Sequence, residues 1–359
     1  MPDEKKLNAF LGTIVSDLGA ANSAVLVRIG DRLGLYKAMA GAGPLDSAEL
    51  AERTGTAERY VREWLANQAA GGYVRYDPPT GRYELPDEHA MVLADEDSPV
   101  LMLGGFDFTA TFFADEDRIL DAFRTGLGVG WHEHDPRLYP GCDRFYGPLY
   151  KSSLVQSWIP ALDGVADKLA AGARVADVGC GHGSSTLVLA EAFPNSTFVG
   201  FDYHDASIAA ARKAAAQAGV ADRVRFEVAG AKDFPGSYDL ICFFDCLHDM
   251  GDPVGAAGHV RDALAPDGTW LLVEPMAGDR TEDNLNPIGR LYYAGSVMLC
   301  TPCSLAQEVG LGLGNQVGEK RLAELLTQAG FGHVRRATET PFNLVLEARR
   351  VKHPETEDR

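Results

Sequence analysis

Two acids and three glycines in one short region have the types and spacing for chemistry: RVADVGCGHGS, Arg174 to Ser184, and the apolar run TFVGFD after it. Val175, Ala176 and Val178 read as a buried parallel strand. Gly179, Gly181 and Gly183 permit a tight turn and close backbone approach, and the apolar periodicity from Ser185 to Phe193 reads as a helix. The second acid, Asp202, ends the next run at about the 20-residue offset from which a carboxylate takes a ribose hydroxyl pair. Together these residues are suited to a nucleoside.

Which nucleoside follows from charge. A dinucleotide rests its pyrophosphate on such a turn and on the helix N-terminus, and Asp177 would repel it. That acid attracts a ligand with an ammonium and a sulfonium, and S-adenosylmethionine carries both. At DVGCGHG the sequence resembles the class I S-adenosylmethionine-dependent methyltransferases, whose first motif is an acid, any residue, then alternating glycines. The resemblance implies cofactor contacts from Asp177, Gly179, Cys180, Gly181, Gly183, Asp202, Tyr203 and Asp245, with Ala231 and Lys232 on the adenine side. Many relatives place an acid where Ala231 stands, so Asp233 or a backbone carbonyl is expected to substitute as acceptor.

A second stretch, FFDCLHDMGDP, resembles the leucine-histidine-aspartate-tryptophan segment of the small-molecule O-methyltransferases, with Met250 in place of the tryptophan. The resemblance makes His248 the general base and Glu274, which ends LLVEP, the acid that holds its imidazole. The chemistry is sound. A hydroxyl is a poor nucleophile until it loses its proton, imidazole titrates near working pH, and a carboxylate on one ring nitrogen fixes the tautomer. Gln316 falls where relatives often carry a second glutamate, so charge support for an imidazolium is expected to be weaker here.

The elements that position these residues follow from length and pattern. With 359 residues and 46% hydrophobic content, the chain suggests two domains. From residue 169 to 351 strands and helices alternate as in a parallel sheet, and seven strands fit a Rossmann-like class I methyltransferase domain with an α/β fold. Residues 1–95 read as a mostly helical winged-helix and dimerisation domain. Lys6 to Met39 gives two helices interrupted near Gly30 and Gly34, with surplus apolar surface. Asp46 to Gly72 gives a helix-turn-helix, and YVRYDPPTGRYEL a two-stranded wing. This order resembles O-methyltransferases in which the winged helix pairs two subunits, so a homodimer is expected. About ten acids stand against about five arginines between Asp46 and Asp95, which argues against nucleic acid.

Residues 96–168 are too apolar to be a linker and are expected to form part of a substrate pocket, with Trp131, His132 and Tyr146 as contacts. His132 and His134 alone are too few for a metal site, and no metal is expected. Phe145, Tyr146 and Tyr150 offer aromatic faces to a sulfonium. The long segment Met276 to Lys320 reads as a cover over an apolar pocket, with Arg290 and Tyr293 as further substrate contacts and Asn284 and Asn286 as polar ones. Cys300 and Cys303, like Cys242 and Cys246, read as reduced core thiols. Residues 352–359 read as a polar tail.

Six cysteines, no leader and no apolar run expected to cross a bilayer place the chain in the cytoplasm. A net charge of −18 argues against anionic membranes as partners. The expected function is methylation of a small, largely apolar molecule at a hydroxyl. Nitrogen or carbon acceptors stay open, and an S-adenosylmethionine-sensing winged-helix regulator is the rival of another class. Asp177 argues against a third reading, a nicotinamide oxidoreductase.

Overall fold

The computed structural model describes residues 2–350, so the expected polar tail lies outside the described residues. Two compact units divide them. Residues up to Phe113 with Pro140–Leu149 form one, and Ala114–Tyr139 with the chain from Tyr150 onward form the other. The connecting region 96–168 is thus shared between the two units.

In the first unit α1, Glu4–Arg32, begins on Asp3, whose carboxylate accepts from the N–H groups of Lys5 and Lys6. It runs unbroken through Gly30, where an interruption was expected. A side chain at Gly30 would strike the indole of Trp64, and the close approach lets Trp64 Nε1 donate to the Leu26 carbonyl at 2.8 Å. Packing therefore outweighs glycine's helix cost of about 1 kcal/mol. Gly34, at φ 70°, does end the helix, and α2, Leu35–Met39, follows. Helix α3, Ser47–Thr54, carries a full capping box from Asp46 and Glu49, and Gly55 separates it from α4, Glu58–Ala70. Strands β1, Arg75–Asp77, and β2, Arg82–Glu84, pair antiparallel as the wing. On α4, Glu58 accepts from Arg62 and Glu63 from Arg59, so the helix's own acids neutralise these arginines.

The first two-thirds of α1 lies bare. Phe10 is 62%, Val15 69% and Leu18 59% exposed. Contrary to the sequence expectation, this helix is long and apolar enough to cross a membrane by length and composition, with a mean hydropathy of 1.5 over its best window. Asp17 breaks the apolar run, but it is the one charge between Lys6 and Arg28, so the average stays high.

The second unit is built on seven strands: β3 Arg174–Val178, β4 Thr197–Asp202, β5 Val224–Val228, β6 Tyr238–Phe244, β7 Leu264–Pro275, β8 Phe331–Glu339 and β9 Asn343–Arg350. Their order is β5-β4-β3-β6-β7-β9-β8, parallel except for β9, which runs antiparallel to both neighbours. Val178, Phe201, Ile241, Phe243, Trp270 and Leu346 fill the core. The chain leaves β3 toward β4 and β6 toward β7, so the sheet's direction of growth reverses between β3 and β6. In such sheets a crevice opens at the carboxyl ends of those two strands.

Candidate active site

The glycine turn leaves β3 with Gly179, Gly181 and Gly183 at φ 77°, 53° and 88°. A Cβ on Gly179 would meet the Cys246 sulfur, and one on Gly183 the Phe226 ring. Asp177 is buried beneath the turn, its Oδ2 accepting from Ser185 Oγ and Thr186 Oγ1 at 2.6 Å each. These two residues belong to the first turn of the helix Ser184–Ala192, so Asp177 fixes where that helix starts. Its Oδ1 is buried without a partner. Burial, with a lesser push from Asp202, holds the carboxyl up at about 6 despite the two hydroxyl donors. Asp202 takes the Gly181 N–H on Oδ2 at 3.0 Å and the His204 N–H on Oδ1 at 2.8 Å, and burial raises it as well. A buried and a half-buried acid, the first with a free oxygen, fit a cationic ligand: an ammonium and a sulfonium would relieve what desolvation has raised.

The other expected cofactor positions vary in character. Cys180 is buried and Tyr203 half exposed. Asp245 stands at φ 50°, a left-handed conformation uncommon outside glycine, and Asn343 Nδ2 approaches its two carboxylate oxygens at 3.1 and 3.3 Å. Burial, then the nearby Glu274, raises it well above the usual carboxylate range. Next to Ala231, the Lys232 ammonium is paired with Asp252 at 3.2 Å and Glu308 at 3.0 Å, and Asp233 accepts from the Gly230 N–H at 2.7 Å. Side chains on both sides of Ala231 are thus already partnered.

At the ends of β6 and β7 the structure brings His248 and Glu274 together. Glu274 Oε2 lies 2.5 Å from His248 Nδ1, and its Oε1 accepts from the Leu247 N–H at 3.0 Å. Both residues are buried. The other ring nitrogen, Nε2, lies 3.1 Å from Asp249 Oδ1. Burial alone would depress the imidazole, but the Asp249 and Glu274 carboxylates outweigh it and raise its pKa well above the ordinary histidine value. The expected weak charge support, inferred from neutral Gln316, is therefore corrected. Asp249 supplies the second carboxylate, while Gln316 donates to the carbonyls of Met276 and Asn315.

The expected substrate residues separate. Trp131 and Tyr139 pack at 5.6 Å between ring centroids and Tyr139 meets His204 at 4.2 Å, which lines aromatic faces up beside Asp202. His132 is exposed on the same turn, whereas His134 is buried, with Nδ1 3.0 Å from Asp115 Oδ2 and Nε2 3.6 Å from Cys303 Sγ. The two histidines share no site. Tyr146 belongs to the first unit, edge-on to Phe145. Tyr150, expected to face a sulfonium, is core against Trp158 and Phe244. Arg290 and Tyr293 lie on the helix Pro287–Gly295, the arginine exposed and the tyrosine half buried. Asn284 and Asn286 have local backbone partners. Asn284 clips both backbone groups of Gly278, and Asn286 caps the helix through the Gly289 N–H, because helix ends and tight loops need such partners first.

Asp115, Tyr139, Cys303 and Asn343 were not legible as site neighbours, since only tertiary folding brings them to their partners. Asp249 had a signal in its adjacency to His248.

Comparisons with known proteins agree with this fold. Residues 169–330 match the methyltransferase domain family, and residues 21–95 match the Rv2258c-like winged HTH domain. The trans-aconitate 2-methyltransferase of Deinococcus radiodurans is 32% identical over 113 residues, 32% of this chain and 42% of that protein. The chain spans less than half the length of the curated relatives it matches. The solved structure of the mitomycin 7-O-methyltransferase MmcR is similar over 97% of this chain and 100% of that one, with a TM-score of 0.70 and 21% identity. A putative O-methyltransferase from Nostoc punctiforme is similar over 94% and 98%, with a TM-score of 0.72 and 18% identity.

Proposed function

We propose that this chain, a winged-helix domain joined to a class I methyltransferase domain, moves the methyl group of S-adenosylmethionine to a hydroxyl on a small, largely apolar molecule. The observation that carries the reading is the His248–Glu274 pair at the crevice end of the sheet, on which the glycine turn and its two acids also lie. Asp177 and Asp202 would hold the cofactor, which supplies an electrophilic methyl carbon when bound. The protein's own residues then align and desolvate the acceptor, and His248 Nε2 takes its proton while Glu274 keeps the proton on Nδ1. Small-molecule O-methylation is the activity named for MmcR. Nitrogen or carbon acceptors are the second choice. The regulator reading has less support, since the α4 arginines are paired with glutamates of the same helix.

The cofactor arm is tested by thermal shift. S-adenosylhomocysteine is expected to raise the melting temperature by linkage and NAD to leave it unchanged. The opposite pattern would end the methyltransferase reading.

We also propose a homodimer in the cytoplasm, without nucleic acid or membrane as partner. The bare apolar length of α1 supports it: Phe10, Ile14, Val15 and Leu18 form a patch of the kind that marks an interface. Light scattering at micromolar concentration without detergent is expected to give twice the chain mass. A monomeric mass, or a need for detergent, would refute the dimer.

A further inference from the structure

Three potential metal ligands from two distant parts of the chain converge at the imidazole nitrogen that Glu274 does not hold. His248 Nε2, Asp249 Oδ1 and Cys300 Sγ lie within 4.8 Å of one another, among buried or half-buried residues. Cys300 ends a π-helical turn, Ser296–Cys300, set between the helices Pro287–Gly295 and Thr301–Leu305, and such turns re-aim one side chain out of helical register. Although Nε2 and Oδ1 are 3.1 Å apart, Oδ1 is buried without a hydrogen-bond partner, so it is not aimed along the ring's N–H axis. A second orphan lies next to the thiol. Asn315 Nδ2 donates to Cys300 Sγ at 3.6 Å, while the buried Asn315 Oδ1 has no partner.

We propose that His248 Nε2, Asp249 Oδ1 and Cys300 Sγ form a site for a borderline-soft divalent cation of the zinc class. Ligands around tetrahedral zinc sit at roughly 2.0 to 2.3 Å, which puts ligand atoms about 3.3 to 3.6 Å from each other. The His–Asp pair, at 3.1 Å, is short of that spacing by only about 0.2 Å, and the sulfur, within 4.8 Å of both atoms, closes the set by a shift of no more than about 1.5 Å. Imidazole with thiolate selects zinc over magnesium or calcium, and three protein ligands leave a fourth position open. Burial holds the Cys300 thiol up at about 12, so it is neutral until a cation displaces its proton. Binding then forms N–, O– and S–metal bonds and releases to solvent the thiol proton and any proton on Nε2. Glu274 on Nδ1 orients the ring as the outer partner of a metal-bound histidine does.

This site goes beyond methyl transfer, and cation binding stands or falls without it. It bears on the proposed activity at one atom: a cation on Nε2 occupies the lone pair that would accept the substrate's proton. Zinc is therefore an inhibitor of the hydroxyl reaction.

The test uses the full-length protein and Co²⁺ as a spectroscopic substitute for zinc. One equivalent is expected to produce tetrahedral d–d bands and a thiolate-to-cobalt charge-transfer band, both removed by zinc. Cys300→Ser is expected to abolish the charge-transfer band while still binding S-adenosylhomocysteine, whereas Cys142→Ser keeps it. Asp249→Asn is expected to retain the band but weaken binding by about 100-fold or more, since even outer-shell partners are worth 10- to 100-fold. A wild type without the charge-transfer band, or a band that survives in Cys300→Ser, overturns the site. If Cys300→Ser fails to fold, unchanged affinity in Asp249→Asn overturns it equally. Failure of methylation with intact cobalt spectra would instead count against the activity alone.

Discussion

Replacing His248 with alanine is expected to lower turnover roughly 10²- to 10⁴-fold while S-adenosylhomocysteine affinity stays near that of the wild type. The asymmetry follows from the geometry. The imidazole is anchored by Glu274 at 2.5 Å and accompanied by Asp249, whereas the acids proposed to hold the cofactor, Asp177 and Asp202, sit near the ends of β3 and β4. An acceptor already nucleophilic at pH 7, such as an amine or activated carbon, would need no base, and a near-normal rate in His248→Ala would show that. The pH profile adds an independent sign. Only neutral imidazole accepts a proton, and its pKa is raised by the two carboxylates, so kcat/KM rises with pH along a limb displaced upward from ordinary histidine. Removing either negative charge lowers that pKa. Asp249→Asn and Glu274→Gln should therefore both move the limb to lower pH, the second with a reduced plateau because the tautomer loses its hold. A limb that moves upward in these variants would contradict the arrangement.

The second large effect belongs to Asp202. Its alanine variant is expected to bind S-adenosylhomocysteine about 10- to 100-fold more weakly by calorimetry, corresponding to the roughly 1.5 to 3 kcal/mol of a lost charged hydrogen bond. Part of that loss is indirect, because Asp202 also holds the backbone N–H groups of Gly181 and His204. Asp202→Asn keeps an acceptor oxygen and should fall between the two. Wild-type affinity in Asp202→Ala would place the ribose partner elsewhere.

How far these residues could be read in advance depends on how local their signals are. The turn at Gly179 to Gly183 announces itself because positive φ demands glycine, and Asp202 and Glu274 because each ends an apolar strand. The seven-strand sheet followed from the same alternation. Gly30 misled because its role is set by Trp64, far along the chain, and not by helix propensity. The polarity of Asn284 and Asn286 suggested a ligand, whereas the bonds they make to the loop and the helix end depend on local geometry that composition does not show. Cys300 and Cys303 looked like ordinary core. The two thiols proved to sit against different histidine–carboxylate pairs, His248 with Asp249 and His134 with Asp115, a juxtaposition that no spacing within residues 300–303 encodes.

The position of β9 has a consequence for the nascent chain. The last strand among the described residues lies between β7 and β8, its Asn343 Nδ2 donates to Asp245, and the neighbouring Phe342 carbonyl accepts from the Met276 N–H and the Tyr292 hydroxyl. While the ribosome still holds residues 343–350, β7 has an unpaired edge, Asp245 lacks its amide partner and the Tyr292 hydroxyl lacks the ordered carbonyl it donates to. Closure of this sheet is therefore a long-range event that waits for β9, and until it happens the hydrophobic strand Trp270–Val273 is open to the wrong neighbour.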